Sequence, residues 1–182
     1  MPPAPPPDSD APLQVLFVCT ANICRSPYLE LRARALADGA PVVFSSAGTN
    51  GLRGQPMDPA MARELDARGV PTGPFTSRPV TVSVVDGADL VLTAEARHRT
   101  ILIEENPAAF RRIFTLGQLA AAVEQMPSDV RGRALVETAG RRRGHADESL
   151  DVEDPYRRGP AAIAAAAVRL DTLLDVVVPR LG

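Results

Sequence analysis

The stretch Leu13 to Val18 (LQVLFV) is a short, nearly continuous apolar run, and it limits the fold more than any other part of the chain. It is too short for a buried helix and fits a strand covered on both faces. A loop from Cys19 to Arg25 follows, and then a helix signal. Ser26 suits an N-cap, Pro27 suits the first helical position, and Leu29, Ala33, Leu36 and Ala37 share a face before Gly39 ends the helix. The alternation repeats. Strand signals fall at Val42 to Ser45, near Asp89 to Leu92 and in RRIFTL. Helix signals fall near Pro59 to Arg68, at Ala94 to Glu105 and at Gly117 to Gln125. The last helix is the clearest, with Ile163, Ala167, Leu170, Leu174 and Val177 at helical spacing. Strand and helix in alternation predict an α/β fold, a parallel sheet with helices on both faces. Chemistry in such sheets sits beyond the C-terminal strand ends, and Cys19 stands there, directly after the first strand.

At 182 residues the chain fits one domain, residues 13–182, behind a Pro-rich start. MPPAPPPDSDAP holds six prolines and lacks the basic start and apolar core of a signal peptide. Residues 1–12 are therefore expected to be a disordered tail. Residues 126–151 are rich in Arg, Gly and charge, and predict a mobile surface insertion with a short helix at best. A net charge of −2 gives no reason to expect nucleic acid or membrane as a partner. No run of about 18 apolar residues exists, and a cytoplasmic location is the expectation. All 20 basic residues are Arg, which removes a Schiff-base lysine and the phosphate-binding lysine of a Walker loop. The two cysteines do not form a disulfide scaffold, and two histidines give poor support to a zinc site. No metal or cofactor is expected. His98 and His145 sit in charged stretches and are expected to be exposed and without a role.

Both cysteines fall in VLFVCTANICRSP, Val15 to Pro27. A strand that turns tightly into a helix aims several backbone N–H groups at one point, and the helix N-terminus adds partial positive charge. Thiols in comparable positions ionise at roughly pH 3.5–7.5. Arg25 supplies a permanent fork that matches two phosphate oxygens. Ser26 has a hydroxyl to offer the sulfur. One short loop thus combines a nucleophile with an oxyanion cradle.

The string Val18-Cys19-Thr20-Ala21-Asn22-Ile23-Cys24-Arg25-Ser26-Pro27 resembles the active-site loop of the low-molecular-weight protein tyrosine phosphatases, V-C-x-G-N-[IS]-C-R-S-P. Ser46-Ala47-Gly48-Thr49 resembles the family's S-A-G-T segment, and Asp154-Pro155-Tyr156 its D-P-[YF] segment. The resemblance implies a flavodoxin-like, doubly wound sheet of four parallel strands. It implies phosphomonoester hydrolysis through a phosphocysteine, with Cys19 as nucleophile, Arg25 and the loop amides of Thr20, Ala21, Asn22, Ile23 and Cys24 holding the phosphoryl oxygens, and Asp154 as general acid and then base. By the same resemblance Asn22, Ser26 and Ser46 brace the loop, and Tyr156 and Leu52 wall the crevice. The implied partners are a tyrosine-phosphorylated protein and a phosphate or other oxyanion in the loop. Cys24 is either a packing residue or a partner for Cys19 in a reversible disulfide.

The chain departs from the family pattern in places. Ala21 replaces the usual Gly, so either the loop needs no positive φ there or it carries strain. Phe75 stands where a bracing His is usual, which predicts a shorter network. Arg157 replaces a second aromatic after Tyr156, leaving Arg157 or Arg53 to meet acidic residues flanking a phosphotyrosine. Two other readings remain open at this point. An arsenate reductase on this scaffold relays electrons through later cysteines, absent here, and would need an external thiol. A phosphate-binding module with weak catalysis would have lost the Cys, Arg or Asp, and all three are present.

Overall fold

The computed structural model describes residues 11–142 and 144–182, so nearly all of the Pro-rich tail lies outside the described residues. Four strands form one parallel sheet in the order β2-β1-β3-β4. They are β1 (Leu13–Cys19), β2 (Val42–Gly48), β3 (Leu90–Thr93) and β4 (Ile113–Thr115). The register pairs Cys19 with Gly48 and Val18 with Thr93. Side chains of β1 alternate between two apolar layers, as a strand buried on both faces requires. Leu13, Val15 and Phe17 face one layer, where Phe17 stacks on Phe44 at 6.0 Å. That layer is closed by α1 (Arg25–Ala37), α2 (Pro59–Asp66), α5 (Leu116–Glu124), α6 (Gly132–Arg142) and α7 (Pro160–Val177). Leu16 and Val18 face the other layer, closed by α3 (Val82–Asp86) and α4 (Ala96–Glu105). The molecule is a flavodoxin-like α/β sheet with helices on both faces.

Several elements differ from the sequence reading. Ser26 is not the cap of α1; the helix starts at Arg25 and Cys24 holds the cap position without a side-chain bond. The Ser26 hydroxyl is taken by the site. Val82–Asp86, a stretch given no element of its own by the sequence reading, forms the short α3, capped by Thr81 accepting from Val84 N. Residues 126–151 contain an 11-residue helix, not a loose insertion. Leu135, Val136, Ala139 and Gly140 of α6 are buried against α5 and the 3₁₀ turn Pro107–Arg112. Arg133 pairs with Asp89 at 2.5 Å, and Arg131 donates to Pro179 O at 2.7 Å, tying the segment to the body. No described helix is long and apolar enough to cross a membrane.

β1 lies between β2 and β3, so the chain leaves β1 to one side and returns on the other. The crevice beyond the C-terminal ends of β1 and β3 is the switch point where such sheets bind ligands. Cys19 ends β1 at that point, and Thr93 ends β3 beside it, followed by Ala94 and Glu95.

Candidate active site

The Cys19–Arg25 loop is held by its carbonyls. Thr49 N donates to Cys19 O (2.9 Å), Asn50 N to Thr20 O (2.8 Å), Leu52 N to Ala21 O (3.3 Å) and Asp58 N to Ile23 O (2.8 Å). In a trans peptide the N–H points opposite to the C=O. Drawing these carbonyls outward therefore turns the N–H groups of Thr20, Ala21, Asn22 and Cys24 to the opposite side, as an anion nest requires. Gly48 makes the close approach possible: a Cβ there would lie 2.4 Å from Thr20 O and 2.9 Å from Asn22 N.

The positive φ of the loop falls at Asn22 (57°), not at Ala21. Asn tolerates the left-handed region better than most residues. Its side chain is buried and fully used: Nδ2 donates to Ser26 Oγ (2.9 Å) and Ser46 Oγ (2.8 Å), and Oδ1 accepts from Arg78 N (2.9 Å). Ser46 Oγ in turn donates to Glu30 Oε2 at 2.5 Å. Arg78 Nε donates to Ser46 O (2.9 Å), and Ser77 Oγ donates to Leu52 O (2.5 Å). Ser77, Arg78 and Glu30 thus brace a loop whose network was expected to be short because of Phe75. Cys19 Sγ lies 3.0 Å from Ser26 Oγ.

A cavity of about 130 Å³ opens above the loop, lined by Cys19, Thr20, Ala21, Ile23, Cys24, Arg25, Asp154 and Tyr156. Leu52 is not among these; its side chain is exposed, and only its backbone serves the loop. Cys19 and Cys24 are both free and buried. Burial first, and then the nearby Asp58 carboxylate, push the Cys24 thiol far above its ordinary range, so it stays protonated.

Arg25 is 1% exposed, and its guanidinium is oriented from several elements. One nitrogen donates to Glu95 Oε1 (2.6 Å) and Val152 O (2.8 Å), the other lies 3.1 Å from Asp154 Oδ2, and Nε is buried without a partner among the described residues. Burial alone would raise the Glu95 carboxyl, but Arg25, Arg97 and His98 hold it below the usual range. The Asp154 segment is pinned to the end of β3. Val152 N donates to Ala94 O (2.9 Å), and Asp151 Oδ1 accepts from Ala96 N (2.8 Å). Tyr156 N donates to Asp154 Oδ1 at 3.3 Å.

His98, expected to be exposed and idle, is 1% exposed, and its Nε2 lies 2.9 Å from Thr20 Oγ1. Burial lowers its pKa to about 4 against the opposing pull of Glu95, so the imidazole is neutral near pH 7. Glu95 and His98 carry no motif in the sequence; the switch point brings them to the loop. Among the described residues, no group of three or more His, Cys, Asp or Glu side chains is placed to hold a metal ion.

A family model described as low molecular weight phosphotyrosine protein phosphatase matches residues 14–132. The chain belongs to that family. It is 36% identical over 152 residues to low molecular weight protein-tyrosine phosphatase A of Mycobacterium bovis, covering 80% of this chain and 77% of that one. It is 27% identical over 167 residues to the probable low molecular weight protein-tyrosine-phosphatase EpsP of Ralstonia nicotianae, covering 92% and 94%. Its fold matches the YwlE arginine phosphatase of Geobacillus stearothermophilus with a TM-score of 0.75 at 25% identity, over 93% of both chains. The chain is a phosphoric monoester hydrolase of the protein-tyrosine-phosphatase kind. Asp154 lies beyond the segment matched by the family model.

Proposed function

We propose that the protein hydrolyses phosphotyrosine in proteins, and small aryl phosphates, in two steps. The observation that carries this reading is the meeting of Cys19, Arg25 and Asp154 in one cavity of about 130 Å³. Cys19 Sγ attacks phosphorus, the bond to the phenolic oxygen breaks, and Asp154 gives that oxygen its proton. Asp154 then takes a proton from water, whose oxygen attacks phosphorus and breaks the P–S bond, releasing phosphate. Arg25 Nε and the loop amides hold the equatorial oxygens where charge builds up. Ser26 donates to the sulfur, and Asn22 and Ser46 keep the loop in shape.

The likeness to an arginine phosphatase raises phosphoarginine as a competing substrate. A phosphorylated guanidinium carries several N–H groups that need acceptors once desolvated. The cavity offers the apolar walls of Ile23 and Ala21, the ring of Tyr156 and one carboxylate, Asp154. Those surfaces suit an aryl ring.

The test is hydrolysis of an aryl phosphate, a phosphotyrosine peptide and a phosphoarginine peptide by the wild type and by Cys19→Ser. Turnover of the first two, with none in Cys19→Ser, is expected. Faster turnover of phosphoarginine would move the substrate assignment, and full activity in Cys19→Ser would remove the phosphocysteine.

A further inference from the structure

Behind the wall of the active-site cavity lies a second cavity of about 370 Å³. The wall is made of two residue pairs, each giving one member to either side. Ile23 lines the active site, and its carbonyl accepts from the N–H of Asp58, which lines the second cavity. Tyr156 lines the active site, and the next residue, Arg157, lines the second cavity. Arg63 and Glu64 of α2 and Ile163 of α7 complete the main lining.

The charges of this cavity are unevenly used. Asp58 Oδ1 accepts from Ala60 N (2.9 Å) and Met61 N (3.1 Å) at the start of α2. Glu64 Oε2 is paired with Arg68 at 2.8 Å. Neighbouring Arg158 is matched by Glu153 at 2.7 Å. Arg63 and Arg157 are exposed, and neither has an ion-pair partner among the described residues. The acids are spent on the fold and two guanidinium groups are left.

Arg157 also sits at φ 58°, a left-handed conformation that is strained for a residue with a side chain. That backbone sets its guanidinium carbon 5.0 Å from the centroid of the Tyr156 ring. Local strain at the rim of a site is a recurring mark of a positioned functional group. Arg53, the other candidate cation, lines neither cavity.

We propose that Arg63 and Arg157 form an anion subsite which binds an Asp or Glu side chain next to the phosphotyrosine of a protein substrate. This rests on the phosphotyrosine reading above and adds the sequence context that the enzyme selects. Two exposed ion pairs of ordinary strength give a preference of roughly 2- to 30-fold.

The experiment measures kcat/KM for three phosphotyrosine peptides that differ only in flanking Glu, Ala or Lys, with an aryl phosphate alongside. Wild type favours the Glu-flanked peptide, and the preference shrinks as salt is raised. Arg63→Glu removes it, and the double variant Arg63→Glu, Arg157→Glu turns it toward the Lys-flanked peptide, a reversal that misfolding cannot produce. Equal rates on all three peptides in wild type, or an unchanged preference in Arg63→Glu, overturns the subsite while leaving the phosphatase intact. Failure of wild type on the aryl phosphate and on every phosphotyrosine peptide overturns the activity itself, and the subsite with it.

Discussion

Arg25 stands between the carboxylates of Glu95 and Asp154, and the two have different work. Glu95 is buried beside it, orients one nitrogen and keeps the guanidinium from being an unpaired internal charge. Asp154 is 40% exposed at its side chain and lies 3.1 Å from the other terminal nitrogen. A phosphate dianion entering the loop must share Arg25 with that carboxylate. Asp154→Asn should therefore have two effects of opposite sign. Turnover of a substrate with a poorly acidic phenol should fall about 10²–10⁴-fold, since the proton donor is lost. Binding of inorganic phosphate or vanadate should tighten, since a negative charge 3.1 Å from Arg25 is gone. Steady-state kinetics over phenols of graded acidity, with phosphate as competitive inhibitor, check both; an unchanged rate on the least acidic phenol would remove Asp154 from proton transfer. Cys19, Arg25 and Asp154 were legible because each lies in a contiguous string. Glu95 and His98 were not, because TAEARHR reads as an ordinary charged helix start, and only the crossover from β1 to β3 puts it against the loop. Ala21 shows a smaller version of the same limit: the sequence marks a Gly replacement, but which residue takes the positive φ depends on the carbonyl ties to residues 49–58.

The elements that read most clearly were those with a single dominant pattern. β1 is apolar on both faces, and α7 repeats small and apolar residues at helical spacing. α6 has the same kind of stripe, Leu135, Val136, Ala139 and Gly140, but it is short and crowded by Arg. Its docking depends on a missing side chain. A Cβ at Gly140 would lie 2.6 Å from the carbonyl oxygen of Arg111, a backbone atom that cannot swing away. Gly140→Val should force α6 off the turn at Pro107–Arg112 and cost about 1–3 kcal/mol, the usual penalty of overpacking. The β-branched side chain offers little gain in helix propensity to offset this. Gly87→Ala is the control: its Cβ would meet only ordinary contacts, at 3.6 Å or more, and should change stability by less than about 0.5 kcal/mol. Denaturant melts of the two variants decide the matter, and KM for an aryl phosphate should stay unchanged in Gly140→Val because α6 contributes nothing to the cavity. Equal melts would mean that α6 is only loosely attached, as its composition first suggests.

At the scale of the whole molecule, the Cys19–Arg25 loop is the place where the sheet, α4 and the Asp154 segment are joined, so what titrates there also governs folding. His98 is the informative group. Unfolded, it has a pKa near 6.5; folded, burial brings it to about 4, with Glu95 and Asp154 pulling upward and Arg25 and Arg97 downward. Between those values the unfolded chain binds a proton that the folded protein refuses, so stability is full above about pH 6.5 and is lost as pH falls toward 4. From pH 7 to pH 5 the loss from this one residue should be about 2 kcal/mol. Glu95, held low by Arg25, works in the same direction at lower pH, and Asp151, raised by burial, works against it. Urea unfolding of wild type and His98→Asn at pH 7 and pH 5 separates the contribution: the midpoint of wild type should drop clearly over that interval and that of the variant much less. Parallel drops in the two proteins would show that the acid sensitivity comes from elsewhere. His98 Nε2 lies 2.9 Å from Thr20 Oγ1, next to Cys19, so the charge that weakens the fold arises in contact with the loop. Loss of activity between pH 6 and 4 should therefore track loss of stability in wild type, and the two should part company in His98→Asn.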